Sequence, residues 1–164
     1  MTGTQTVSDL VTLSYESLVF CCIVGFAAYD IHTRRVPDRA LIFFCPVALL
    51  SLPVHIWAAG LGTSPWTVLG HSLAGCASGF LILLAAAMLS KDGTGLGGGD
   101  IKLAGVMGFI YGPYRMLAIL MLASLLSAGA ALVIGIRRRD KILSMPFVPF
   151  MAAGSLAALT ASII

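Results

Sequence analysis

Charge is the scarcest commodity in this sequence. Ten Lys and Arg and seven Asp and Glu amount to 10% of 164 residues, against roughly 25% in ordinary soluble domains. A chain so poor in charge cannot cover its surface for water. A hydrophobic content of 59% and a mean hydropathy of +0.99 indicate an integral membrane protein instead. Polar/apolar alternation is missing too, and a closed transmembrane barrel needs it in segments of about 10 residues; the apolar stretches here are long and unbroken. There is no C-x-x-C pair. Cys21, Cys22, Cys45 and Cys76 fall inside apolar runs and read as small buried hydrophobes, not as zinc or redox ligands. His32, His55 and His71 show no H-x-x-x-H spacing, so no metal or other cofactor is expected. Gly93, Gly95 and Gly98 match G-x-G-x-x-G, but no strand precedes them and a dinucleotide site is excluded. The opening MTGTQTVSDL lacks the basic start of a secretory signal. The first apolar segment should therefore stay in the mature protein.

What the chain does contain is a series of apolar runs near 12–31, 40–59, 68–90, 101–114, 116–136 and 145–163. About 20 such residues cross a bilayer as a helix. The fourth run is short and ends at Gly112-Pro113, so length alone leaves it between a span and a re-entrant hairpin. Charge placement decides. Arg34, Arg35 and Arg39 lie in the first loop, Lys91 and Lys102 around the third, and Arg137, Arg138, Arg139 and Lys141 in the fifth. With six spans these loops share one face, and the positive-inside rule makes that face cytoplasmic. Only Arg115 is left outside. The expectation is an all-α polytopic bundle of six transmembrane helices, one membrane-embedded domain over 1–164, with both termini outside the cytoplasm. The net charge of +3 is then a topology signal, and no nucleic-acid partner is expected.

Ionisable residues in or at the edge of spans are functional candidates. Asp30 closes the first apolar run and Asp100 opens the fourth. In the six-span topology both sit at the cytoplasmic ends of their helices, at one depth, where they could meet. Two carboxylates held close cannot both ionise easily and share a proton. Aspartic proteases use that arrangement: one carboxylate takes a proton from the attacking water while the other, protonated, polarises the peptide carbonyl. Gly97, Gly98 and Gly99 would leave room for a substrate backbone and permit unusual backbone angles. A second reading of Asp100 is a helix cap, since it stands at the start of a helix where free amides favour a carboxylate; the two are compatible. Asp38 is either near the N-cap of the second helix or close to the site. Asp92 and Asp140 read as solvated loop residues, and Glu16 as an acid snorkelling near the outer interface.

Three stretches in order resemble the type IV prepilin peptidases, membrane aspartic peptidases with a G-x-G-D signature. YDIHTRRVPD (Tyr29 to Asp38) is similar to the family's first motif. GLGGGDIKLAGVMGFIYG, with Gly97-Gly98-Gly99-Asp100 filling G-x-G-D and Lys102 two residues on, is similar to the second. MPFVPFMAAG, with Pro146 and Pro149, is similar to the final-helix motif. The likeness covers residues 17–160. It implies Asp30 and Asp100 as the catalytic pair, with Asp38, Gly97, Gly98, Gly99, Lys102, Pro146 and Pro149 supporting them or the substrate. It further implies a prepilin or pseudopilin substrate, cut between its basic leader and its apolar helix at the bacterial inner membrane. Larger members carry a domain with paired C-x-x-C motifs and also methylate the product. None is present here, so peptidase activity alone is expected, as in stand-alone forms serving tight-adherence (Flp-type) pili. Three alternatives remain open: a presenilin-like intramembrane protease, a small ion-coupled transporter using the same two aspartates, and an assembly factor that binds pilins without cutting them.

Overall fold

The computed structural model describes residues 3–33, 38–60, 63–89, 97–137 and 147–163. Their order is α1 (Gly3–Thr33), α2 (Asp38–Leu49), α3 (Ser51–Ala59), α4 (Pro65–Leu89), α5 (Gly98–Arg137) and α6 (Val148–Ile163). No strand occurs among the described residues. Among the described residues four stretches are long and apolar enough to cross a membrane: Val7–Thr33, Ala40–Ala59, Pro65–Leu89 and Gly98–Val133; Val148–Thr160 is a shorter apolar helix. The second of these joins α2 to α3. The break at Leu50 has a local cause, because Pro53 has no N–H to offer the Leu49 carbonyl. Leu50 and Val54 still bond to the carbonyls of Pro46 and Leu50, so the helix direction is roughly kept.

α5 is two helices meeting at Gly112, whose φ of 73° and ψ of 173° are not helical. That positive φ suits glycine, and Pro113 behind it cannot continue the hydrogen-bond ladder. A Cβ placed on Gly79 would touch both the Ala104 carbonyl and the Met116 methyl group. In a straight helix those residues would be about 18 Å apart, farther than a methionine reaches. The chain therefore bends back on itself at Gly112. The sequence expectation of separate segments 101–114 and 116–136 is adjusted accordingly: the break comes inside the first of them.

Between apolar helices in lipid there is no water to expel, so close backbone packing must hold them together. Gly75 and Gly79 on α4 form a small-x-x-x-small ridge, facing Ala104, Gly108 and Gly112 at the same spacing on α5. Gly75 lies against the Gly108 carbonyl and the Gly112 backbone, and Gly79 against the Ala104 carbonyl. α6 packs against both α1 and α5, with Gly154 beside the Ile119 backbone. The core stripe of α1 runs through Val19, Ile23 and Ala27, and that of α5 through Leu103, Ala104, Met107 and Ile110. At helical spacing, each stripe ends in an acid: Asp30 on α1 and Asp100 on α5.

Candidate active site

Asp100 occupies the third position of α5. The amides of Asp100 and Ile101 bond to the Gly97 carbonyl at 3.0 and 3.4 Å, so Gly97 is the N-cap. The Gly97 N–H in turn donates to Asp100 Oδ2 at 3.3 Å. This is one half of a capping box, the N3 side chain reaching back to the N-cap amide, with aspartate in the place usually taken by Glu or Gln; the glycine N-cap has no side chain to supply the other half. The capping role anticipated for Asp100 is real, and it holds the carboxylate in a fixed rotamer.

Asp30 is held by a different helix. It lies in the last turn of α1, where the free carbonyls disfavour an anion. What offsets that is the start of α6, whose Val148 backbone N–H faces its carboxylate. The first turn of α6 explains why this amide is free. Phe150 and Met151 bond back to the Phe147 carbonyl at 3.0 and 3.2 Å, and Pro149 has no N–H. Val148 is then the orphan donor of the helix start, and Asp30 takes it. The other oxygen of Asp30, Oδ2, is buried without a hydrogen-bond partner among the described residues.

These two helix N-termini bring the acids together: Asp30 and Asp100 lie within electrostatic reach of each other. They are 3% and 8% exposed, so neither is a solvated surface acid. Among the described residues nothing comes within 4 Å of where a Gly98 Cβ would stand, and a Gly97 Cβ would meet only the Asp100 carboxylate, at 3.6 Å. The ground beside Asp100 is open. Gly99 is half-buried, while Lys102 is exposed, turned from the core side of α5 that Asp100 shares. Pro149 is half-buried in the first turn of α6, shaping the amide that Asp30 uses. Asp38 is the first residue of α2, but its side chain lies outside the described residues, as do Pro146, Asp92, Asp140 and the arginines at 34, 35 and 39. No group of three or more His, Cys, Asp or Glu suited to a metal ion occurs among the described residues. Sequence reasoning missed the Val148 amide, although a proline one residue inside a helix start signals a nearby free N–H.

The far end of the bundle overturns one reading. Glu16 does not snorkel to the interface; it is buried and pairs with Arg115. Arg115 Nη1 donates to Glu16 Oε1 at 2.6 Å, with Glu16 2% and Arg115 46% exposed.

A multi-pass helical membrane protein with two buried carboxylates at one end of its bundle is the class that fold and site define. A model of the type IV leader peptidase family matches residues 17–134. The chain belongs to that family. It is 37% identical over 150 residues to a prepilin leader peptidase/N-methyltransferase of Bacillus subtilis, covering 88% of this chain and 54% of the relative. Proteins of the same description from Escherichia coli and Burkholderia pseudomallei are 28% and 29% identical, over 85% and 84% of this chain and 59% and 43% of theirs. The chain thus spans about half the length of the curated relatives it matches. No solved structure matches it.

Proposed function

We propose that this chain is a membrane aspartic endopeptidase that removes the leader from type IV prepilins or pseudopilins at the cytoplasmic membrane edge, in the service of pilus or secretion-system assembly. The observation that carries this reading is that Asp30 and Asp100, separated by seventy positions, are both buried and lie within electrostatic reach of each other, each beside the start of a helix. The six-crossing topology belongs to the same proposal. The bend at Gly112 lets both halves of α5 cross, putting Asp100 at the face where Asp30 ends α1. The first half, 98–111, would rise about 21 Å and reach less than the full hydrocarbon thickness of about 30 Å. Asp100 would then sit below the headgroups, at the depth where a pilin's apolar helix begins.

The chemistry follows from the pair. Together the carboxylates hold one proton. The ionised member removes a proton from water as its oxygen attacks the scissile carbonyl carbon, and the protonated member gives its proton to the carbonyl oxygen. Collapse of the tetrahedral adduct breaks the C–N bond. A proton passes to the leaving nitrogen, and the dyad returns to its starting state. The capping amides of Gly97 and Val148 keep the two groups oriented without neutralising them, which limits reorganisation during the step.

The test is direct. Purified protein in detergent is incubated with a full-length prepilin, and the products are read by intact mass. A single cut at the junction of basic leader and apolar helix is expected. A folded protein that leaves several prepilins intact across a range of pH defeats the reading.

A finer prediction concerns Val148. Proline is well suited to the first position of a helix and removes an N–H that the helix itself does not use, although the fully buried Val148 side chain is reshaped as well. Val148→Pro should therefore lower the thermal midpoint by a packing cost that Val148→Ala shares, while only the proline variant also loses the orienting amide and drops kcat by about a further 10-fold. Circular dichroism melting beside the cleavage assay checks both halves of that statement.

A further inference from the structure

The Glu16–Arg115 pair has a place in the fold that its surroundings do not require. An ion pair with one buried member, as here, is a poor source of stability, because desolvation consumes much of the attraction; the best attested use of buried charge pairs is to fix register. The register available here is a specific one. Glu16 stands on α1, fourteen residues before Asp30, and Arg115 on α5, fifteen residues after Asp100 and just beyond the Gly112 bend. The two candidate catalytic acids and the two members of the ion pair thus share the same two helices: the acids stand at helix ends, and the pair lies midway along α1 and just beyond the Gly112 bend of α5. Among the described residues the backbones of α1 and α5 hardly approach each other, while α6 lies against both. The 2.6 Å contact between Arg115 Nη1 and Glu16 Oε1 is a direct tie between them. Beside it, the Tyr15 hydroxyl donates to the Val47 carbonyl at 2.8 Å, fixing the rotation of α1 against α2.

We propose that Glu16 and Arg115 are positioning residues for the Asp30–Asp100 dyad: their ion pair ties α1 to α5 at the Gly112 bend, and so sets the axial register of α1, which reaches Asp30 about 21 Å further on, against the first half of α5, which starts at Asp100. This rests on the proposed peptidase reading for its catalytic consequence, but not for its geometric one. Neither residue touches substrate. A slip of the order of 1 Å at the ion pair would be carried along α1 to Asp30, and misplacement on that scale can cost roughly 10²-fold in rate.

The test separates register from folding. Glu16→Met/Arg115→Met replaces the pair with apolar side chains of similar volume, which removes the tie and leaves no orphaned charge. It is measured beside wild type for thermal midpoint, for kcat and KM on a prepilin, and for cross-linking. In the cross-linking arm Asp30→Cys/Asp100→Cys is treated with bis-methanethiosulfonate reagents of graded length, and the linked peptides are mapped by mass spectrometry. The expected result is a midpoint at or above wild type, kcat down at least about 10-fold with KM within about two-fold, and a shift in the reagent length that links positions 30 and 100. Wild-type kcat together with an unchanged linking length overturns the clamp, as does a loss of activity that merely follows the folded fraction. If wild type cuts no prepilin and the linking length still shifts, the clamp stands and the peptidase reading falls.

Discussion

Asp30→Asn and Asp100→Asn should each reduce prepilin cleavage by at least about 10³-fold while leaving the bundle folded. The amide keeps the shape of the carboxylate and one acceptor oxygen. At position 100 it can still receive the Gly97 N–H, bonded to Oδ2 at 3.3 Å in the native chain, and at position 30 it can still receive the Val148 N–H. What it cannot do is take up a proton from water or share one with its neighbour. Asp30→Asn carries a modest extra cost, since the amide nitrogen would occupy the buried place of an oxygen without a partner, leaving donors unsatisfied at about 1–3 kcal/mol. Asp100→Glu separates the two roles of that residue. Glutamate is the preferred third residue of a capping box, so the helix start should hold or gain stability, while the reactive oxygens move by one methylene and activity falls. A folded, inactive Asp100→Glu protein assigns the carboxylate to chemistry. A folded, fully active one makes it a cap.

Asp30 and Asp100 stand out in the sequence because this chain has so few charges. An acid at the edge of an apolar run is costly enough to need a reason, and only a handful of positions qualify. The break at Gly112-Pro113 is legible for a similar reason, because glycine and proline together mark an interruption whatever the context. Pairings between distant residues are not legible. Glu16 and Arg115 lie 99 positions apart, and taken singly each has an ordinary explanation as an interfacial acid and a loop cation. Only the fold, which brings their side chains within hydrogen-bond reach, joins them. The Val148 amide is hidden because backbone donors carry no residue type; Pro149 points to a helix start, but nothing in the sequence names which acid would meet it. The spaced glycines of α4 are lost among the eighteen in the chain, although Gly75 and Gly79 differ sharply from their neighbours once α5 is in place.

That difference supports the second large effect. Gly75→Val should destabilise the protein by about 3 kcal/mol or more, beyond the usual range for overpacking. A Cβ at this position would overlap the Gly108 carbonyl and come within 2.7 Å of the Gly112 backbone. Neither obstacle is a side chain that can turn aside. Relief requires α4 and α5 to separate along the ridge, and in lipid that close approach is itself the source of attraction between the helices. Gly70→Val is the internal control. It lies on the same helix, five residues earlier, with nothing within 4 Å of its Cβ position, and replacing glycine inside a helix removes its entropic penalty. Gly70→Val should therefore melt at or slightly above the wild-type temperature, and Gly75→Val many degrees below it, with circular dichroism in a mild detergent as the readout. Activity should fall further than stability in the Gly75 variant. Gly108 and Gly112 belong to the same helix pair that carries Asp100 and Arg115, so pushing α5 outward moves both ends of the dyad's support even in molecules that remain folded. Equal melting of the two variants would show that the helices do not meet at this ridge, and the position of Asp100 would have to be set by other contacts.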